Sequence, residues 1–471
     1  MDGFAEPSGG GTSGAAAGPA SERPVVIVGA GFAGLSAAVR LAGAGRKVIV
    51  VEATGGGGGR SRSFQHPASG LELDNGQHLM MGCYRETLAF LRAIGNERAV
   101  SFQRNLAVDM VKPGGARVRL RCPALPAPIH LGAGLATMRG IGLIDKACAL
   151  RAGVMLRHEA ARPDDNETCD DFLRRLGQTQ GIRNAFWDPL IWAVLNDDPL
   201  VASAAMLVAV LERAFLGTRD DSRLGVPRVP LSRLYVHDAL EQLRQRGAEL
   251  RLGQPMRAIE ADAEGVSAVL LRSGERIAAR TIISTVPPQP LLDALPDAAR
   301  RHPVFQDVAK LDVSPIINLW LVLDRSPFRD VPFLGLIGSP LHWLFDKSRI
   351  EGHDDGQVLL NCTISGARGL VDDRPATLLE LAKSELRRYF PDRPVQVRAH
   401  KIVKEHKATI SHAAGTTQWR PATRSPVPGL LLGGDWVRTG LPATIESACQ
   451  SGHDAAAAVL EDARRQHAFG V

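Results

Sequence analysis

Three short stretches of this chain hold residue types that can do chemistry together. Residues 74–78 read Asp-Asn-Gly-Gln-His, residues 52–60 run from Glu52 through five glycines to Arg60, and residues 433–435 read Gly-Gly-Asp. Asn75-Gly76 on its own signals a turn. Gln77 and His78 follow it at once, however, and then apolar Leu79, Met80 and Met81. His78 titrates near neutral pH and can serve as a proton donor; Asp74 and Asp197 are the carboxyl groups standing behind it in that role. A satisfied structural histidine is the competing reading of His78. Arg60 beside a glycine turn is suited to cradling a diphosphate. A flexible linker is the bland reading of the five glycines, but their place, three residues after an acid, argues for the cradle.

The elements that must position these groups can be read around them. Val25–Val28 is an unbroken β-branched run, as a parallel strand buried on both faces requires. Gly29, Gly31 and Gly34 then form GxGxxG, followed by a small-residue helix and a second strand over Lys47–Val51 that ends in Glu52. Each part has a function in dinucleotide binding. Gly29 permits the tight turn, Gly31 lets backbone approach a pyrophosphate, and Gly34 lets helix and strand touch. The helix N-terminus presents N–H groups to phosphate, and Glu52 can accept from ribose hydroxyls. At the far end, residues 430–436 read as a strand opening into Gly433-Gly434-Asp435. A helix follows, with Thr444 and Ile445 at its start. Asp435 can hold ribityl hydroxyls, and that helix N-terminus can stabilise the negative charge of a reduced flavin. A C-terminal strand-loop-helix returning to an N-terminal nucleotide fold is what a cofactor as long as FAD needs.

Together these residues carry a resemblance. GAGFAGLSAA, Glu52, GGR at 58–60 and GGDW…PATIESACQSG resemble the flavin amine oxidase and carotenoid desaturase superfamily. Within it, DNGQH at 74–78, FWDPLIWAVLNDDPLVASA at 186–204 and LPATIESACQSG at 441–452 are most similar to the hydroxysqualene dehydroxylases, or squalene-associated FAD-dependent desaturases. The resemblance spans Pro24 to Leu460. It implies an α/β architecture, with a Rossmann-like FAD-binding domain of the glutathione-reductase type and an interleaved α+β substrate domain. FAD binding is assigned to 23–105, 235–305 and 411–471, and substrate binding to 106–234 and 306–410, after a disordered tail at 1–22. FAD would be held non-covalently, since the 437–443 loop has no cysteine. On the adenosine and phosphate side the resemblance assigns Gly29, Gly31, Phe32, Ala33, Gly34, Glu52, Ala53, Met256 and Thr285. Gly58, Gly59 and Arg60 follow, with Gly434, Asp435, Thr444 and Ile445 from the C-terminal segment. Gly76 and Gln77 would lie with His78 against the isoalloxazine. One departure stands out: the superfamily usually has an arginine four residues after the ribose acid, and here that position is Gly56.

The implied activity is reductive dehydroxylation of hydroxysqualene to squalene, in bacterial-type squalene and hopanoid biosynthesis. An allylic hydroxyl leaves as water only with acid assistance, and hydride then comes from reduced flavin. The alternatives are a carotenoid or squalene-type desaturase working in the opposite redox sense, and a non-catalytic isoprenoid-lipid carrier on the same scaffold. The chain has three tyrosines and no aromatic residue at 437–448, which disfavours an amine substrate and favours a long apolar isoprenoid. A single GxGxxG leaves the electron donor unidentified.

The bulk numbers agree. A chain of 471 residues exceeds one core, and 45% apolar with 23% charged residues is ordinary for a globular protein. Six scattered cysteines with no CxxC argue against zinc or any other metal site. A net charge of +6 without a basic block argues against nucleic acid. Without a signal sequence or spanning helix, a cytoplasmic protein is expected. Val331–Phe345 and Pro123–Met138 lack formal charge, and Arg139, Lys146, Arg151 and Arg157 follow the second. Both segments suggest a greasy ligand, and the second, with its basic residues, predicts peripheral contact with the inner membrane face; an ordinary buried helix with basic ends is the competing reading.

Overall fold

The computed structural model describes residues 23–66, 70–353 and 356–469; the predicted tail at 1–22 lies outside them. Among the described residues, a five-stranded parallel sheet runs in the order Glu249–Arg251, Val48–Val51, Val25–Val28, Ile282–Ser284, Leu430–Leu432. Its central strands are buried on both faces, which explains their continuous β-branched runs. The helix Phe32–Gly43 packs on one face beside the C-terminal helix Ile445–Phe469. Small residues set that approach: a Cβ on Gly452 would sit 2.2 Å from the Ala33 carbonyl oxygen. A Cβ on Gly34 would lie 1.8 Å from the Gly29 carbonyl oxygen, so Gly34 fixes the contact of helix and strand.

A second, seven-stranded sheet follows the order Val397–Ile410, Val313–Leu323, Val358–Ile364, Trp343–Asp346, Phe333–Leu336, Ala107–Val111, Arg117–Arg121. It is antiparallel except where Phe333–Leu336 runs beside Ala107–Val111. One face, carrying Leu319, Leu321, Leu344, Leu360 and Cys362, is covered by the helix Pro375–Tyr389. Period two therefore sends Asn318, Trp320, Trp343, Phe345, Asn361 and Thr363 to the opposite face.

Within Val331–Phe345, the strands Phe333–Leu336 and Trp343–Asp346 lie buried inside this sheet. The last part of the segment assigned to 106–234 runs beside residues of the parallel-sheet side. Leu224–Pro227 pairs with Met80–Met81 and Val100–Phe102, and Leu231 and Leu234 join the core under the parallel sheet.

Candidate active site

Both glycine loops open at the carboxyl ends of the parallel strands, where such sheets receive ligands. Gly29 has φ +107°, and a Cβ there would meet the Thr285 hydroxyl at 2.5 Å. The Thr285 hydroxyl itself donates to the Val28 carbonyl at 2.9 Å, so this residue ties two strand ends together. Gly31 and Gly59 pack closely, so the two glycine loops meet: a Cβ on Gly31 would lie 4.0 Å from Gly59 Cα, and one on Gly59 would lie 3.5 Å from Gly31 Cα. The helix beginning at Phe32 has no side-chain cap, leaving its first N–H groups open beside the paired loops. Glu52 lies beside it. One of its oxygens accepts from the Ala30 N–H at 2.7 Å and the other from the Thr54 N–H at 2.8 Å. Buried polar atoms without protein partners among the described residues include Gln254 Oε1, Ser284 Oγ, Asn75 Oδ1 and Gln77 Oε1. An uncapped helix, paired glycine loops and leftover acceptors make a cradle that fits an extended dinucleotide such as FAD.

Several assigned residues turn out to be committed within the protein. The Phe32 ring stacks on Tyr235 at 3.7 Å, leaving only its backbone for a ligand. Arg60 pairs with Asp435 at 2.5 Å and donates to the Ala408 carbonyl at 2.8 Å. Burial would lower the Arg60 pKa, but Asp435 outweighs it, so the guanidinium is held charged. The groups expected at the diphosphate and at the adjoining ribityl chain thus meet each other. Met256 opens the antiparallel strand Met256–Asp262 and is half-buried, while Ala53 is exposed beside Glu52. Gly58 has φ +92° and Gly434 φ +122°, conformations that favour glycine.

The DNGQH segment is no hairpin tip. Its Asp74 ends the strand Glu72–Asp74, and the following residues cross the second sheet's inner face. There, Asn318 Nδ2 donates to the Asn75 carbonyl at 3.1 Å and Trp320 Nε1 to that of Asp74 at 2.9 Å. Asn75 Nδ2 donates to the Arg60 carbonyl, tying this segment to the glycine turn. His78 Nδ1 lies 2.8 Å from the Gly76 carbonyl oxygen, so that nitrogen carries the proton and Nε2 is left as an acceptor. Burial lowers the His78 pKa, opposed by Asp74 and the Gly76 carbonyl. The ring is therefore neutral near pH 7 and acts as an acid only after taking up a proton. Leu79 and Met81 beyond it join an apolar cluster with Phe333, Trp343 and Phe345.

Neither carboxylate candidate is free. Asp74 pairs with the buried Lys347 at 2.9 Å and accepts from the Ser63 hydroxyl at 2.7 Å and the Leu231 N–H at 2.8 Å. Lone pairs so occupied make Asp74 an anchor and correct its expected role as proton donor. Asp197 accepts from the Ser411 hydroxyl at 2.9 Å and the His412 N–H at 2.6 Å. Burial raises its pKa against those hydrogen bonds. His412 in turn accepts from the Ala443 N–H at 2.8 Å, one residue before Thr444. Its pKa is pushed down to about 3 by burial and by Arg420. Asp197 thus positions the stem of the C-terminal helix, a correction to its expected acid role.

Sequence reasoning missed the braces. Tyr235 donates through its single hydroxyl proton to the turn carbonyls of Gly58, at 2.6 Å, or Ser61, at 2.9 Å. The Arg420 guanidinium binds the carbonyls of Asp435, Trp436, Val437 and Leu441 at 2.6–3.3 Å. A lone lysine directly after the buried run WLFD was the one available signal for Lys347.

The comparisons with known proteins agree with this geometry. The chain is 29% identical to a hydroxysqualene dehydroxylase of Rhodopseudomonas palustris, over 94% of this chain and 99% of the relative. It is 30% identical to one of Sinorhizobium fredii, covering 93% and 98%. A 15-cis-phytoene desaturase of Synechococcus elongatus matches at 26%, covering 93% and 95%. Among solved structures, an oxidoreductase from Methanosarcina mazei superposes with a TM-score of 0.71 at 16% identity, covering 92% of this chain and 99% of its own. Cyclohexylamine oxidase from Brevibacterium oxydans gives 0.68 at 18%, covering 94% and 99%. These likenesses show the fold. The model of the flavin containing amine oxidoreductases matches residues 32–460. With that span matched and a dinucleotide cradle at the strand ends, the cofactor is FAD and the chain belongs to the flavin-containing amine oxidoreductase family.

Proposed function

We propose that this protein reduces hydroxysqualene to squalene. The observation that carries the reading is the sequel to His78, where a proton-handling imidazole is followed along the chain by Leu79 and Met81 of the apolar cluster that also holds Phe333, Trp343 and Phe345. Relatives named hydroxysqualene dehydroxylase, matching along nearly their whole length, support it. Bound FAD supplies the hydride chemistry. The chain's own residues hold the substrate, keep water from the reacting carbon and deliver the proton that turns hydroxyl into water. His78 is the group placed for that proton.

The test is anaerobic incubation of the FAD-loaded protein with hydroxysqualene and a chemical reductant; absence of squalene would end the reading. In the same assay, His78→Ala should keep its FAD, shift the flavin spectrum, and lose turnover by ~10²–10⁴, the usual loss for a general acid. The sign of the pH dependence follows from the lowered pKa: an acid role requires wild-type turnover to rise as pH falls toward that value, and the variant to lack this limb. The neutral acceptor at Nε2 favours one second reading, desaturation, in which His78 takes up a proton. That role gives the opposite slope, and phytoene desaturases are among the relatives.

The predicted membrane contact fits the helices Ile129–Ala136 and Leu143–Met155. They leave Leu143 82% and Ile144 74% exposed, with Ile129 and Val154 exposed as well. Arg139, Lys146, Arg151 and Arg157 lie in or beside them, so an anionic bilayer is the complementary surface. Among the described residues no helix is long and apolar enough to cross a membrane. A fully buried Leu or Ile contributes roughly 1.5–3 kcal/mol. Wild-type protein should therefore float with anionic vesicles, and a Leu143→Ser/Ile144→Ser variant should stay behind; equal flotation would refute the contact.

A further inference from the structure

We infer that Asn361 and Trp343 form the site that recognises the substrate's hydroxyl group, an inference that rests on the reading of the substrate as an isoprenoid alcohol. Asn361 is 0% exposed and its Nδ2 has no partner among the described residues. Trp343 is 8% exposed and its Nε1 is likewise unpartnered. An unmet buried polar group is costly. Two of them on one stretch of wall make a place that a small polar group of a ligand would satisfy.

Their placement is specific. Thr363 lies directly opposite Trp343, and Asn361 opposite Phe345, on neighbouring antiparallel strands. Trp343 and Asn361 are therefore diagonal neighbours on the sheet's inner face, within reach of an indole. The Thr363 hydroxyl lies 3.0 Å from Asn318 Oδ1 and 2.8 Å from Asn361 Oδ1. One hydroxyl proton serves one of these oxygens, so the network is satisfied best with the Asn361 amide turned over and donating to Thr363. Either orientation leaves one polar atom of that amide over. Through Asn318 the same network reaches the Asn75 carbonyl, next to Gly76-Gln77-His78.

The ligand's chemistry follows from what is left over. An indole N–H and an amide suit a small group that both accepts and donates, set in an otherwise apolar wall with Phe333 and Phe345. A carboxylate or phosphate would need a cation, and the buried Lys347 on this side is paired with Asp74 and Glu351 at 2.9 and 3.1 Å. An alcohol on a hydrocarbon chain fits. A pure hydrocarbon would leave the wall's polar atoms unmet, which is how a hydroxyl-binding site rejects an analogue lacking the hydroxyl.

Flavin absorbance of the FAD-loaded protein, titrated with hydroxysqualene and with squalene, tests this directly. Wild type should bind the alcohol at least ~10-fold more tightly than the hydrocarbon. Trp343→Phe, which deletes the donor and keeps a smaller aromatic ring, and Asn361→Leu should each weaken alcohol binding by ~10-fold. Squalene binding, FAD content and melting midpoint should hold, and Trp343→Phe keeps the test decisive if Asn361→Leu folds poorly. No preference in wild type, or an undiminished preference in Trp343→Phe, would overturn the site. A wild-type preference without squalene formation would instead refute the reaction and leave the hydroxyl site standing.

Discussion

Gly31→Val is expected to give a folded protein that has lost its flavin, with affinity for FAD lower by ~10²–10³-fold, or about 3–4 kcal/mol. The physical reason lies in where the new side chain goes. A Cβ at Gly31 comes no closer than 4.0 Å to any neighbouring atom, so the chain itself has room for it. The new side chain would stand beside Gly58 and Gly59 at the helix N-terminus, where it shields the loop's N–H groups from a diphosphate. Gly34→Ala is the matched control. Its Cβ would collide with the Gly29 carbonyl at 1.8 Å, so helix and strand must separate and stability falls whether or not FAD is present. Flavin absorbance per protein, read beside circular dichroism and a melting curve, distinguishes the two. A Gly31→Val protein that purifies yellow at the wild-type ratio would show that the diphosphate does not pass this loop. Glu52→Ala is a less clean test, because Glu52 also holds the Ala30 and Thr54 amides and its loss loosens the loop itself.

What could be read from sequence was what repeats locally. The glycine spacing at 29–34, the buried strand before it and the acid after it lie within one βαβ unit, and each constrains its neighbours in the chain. The same holds for Val313–Leu323 and Val358–Ile364, whose largely apolar runs declare buried strands. The roles of Asp74, Asp197 and Arg60 could not be read this way, because their partners come from elsewhere. Asp74 meets Lys347 across 273 residues of chain, and Arg60 meets Asp435 across 375. An acid near a histidine looks like a proton donor until the ammonium beside it is known. The hydroxyl-binding face was hidden for a related reason. Asn318 sits in one largely apolar strand and Asn361 and Thr363 in its neighbour, and only the register places the three together.

The largest effect on stability is expected from Lys347→Met. The Lys347 and Asp74 side chains are 1% and 2% exposed, and Glu351 is the second carboxylate on the same ammonium. Removing the lysine leaves two buried carboxylates without a counter-charge, a loss of about 3–5 kcal/mol in the range measured for breaking such pairs. Asp74→Asn should lose less, because Lys347 keeps Glu351 and the amide still accepts from Ser63 and Leu231. Combining the two should recover part of the sum, the signature of a direct pair. The pH dependence has a definite sign. Burial alone would lower the Lys347 pKa, but Asp74 and Glu351 outweigh it and raise it above the ordinary lysine value. A raised lysine pKa gives stability that is fully present below the ordinary value and lost only as pH climbs through the raised one. The titration of Lys347 should therefore give the Lys347→Met deficit no pH dependence between neutral and mildly alkaline buffer. Denaturant midpoints of the two single variants and the double variant measure all of this. If Asp74→Asn keeps its midpoint and its FAD while turnover drops ~10²–10⁴, the range for a lost general acid, then Asp74 is the proton donor and the anchor reading fails.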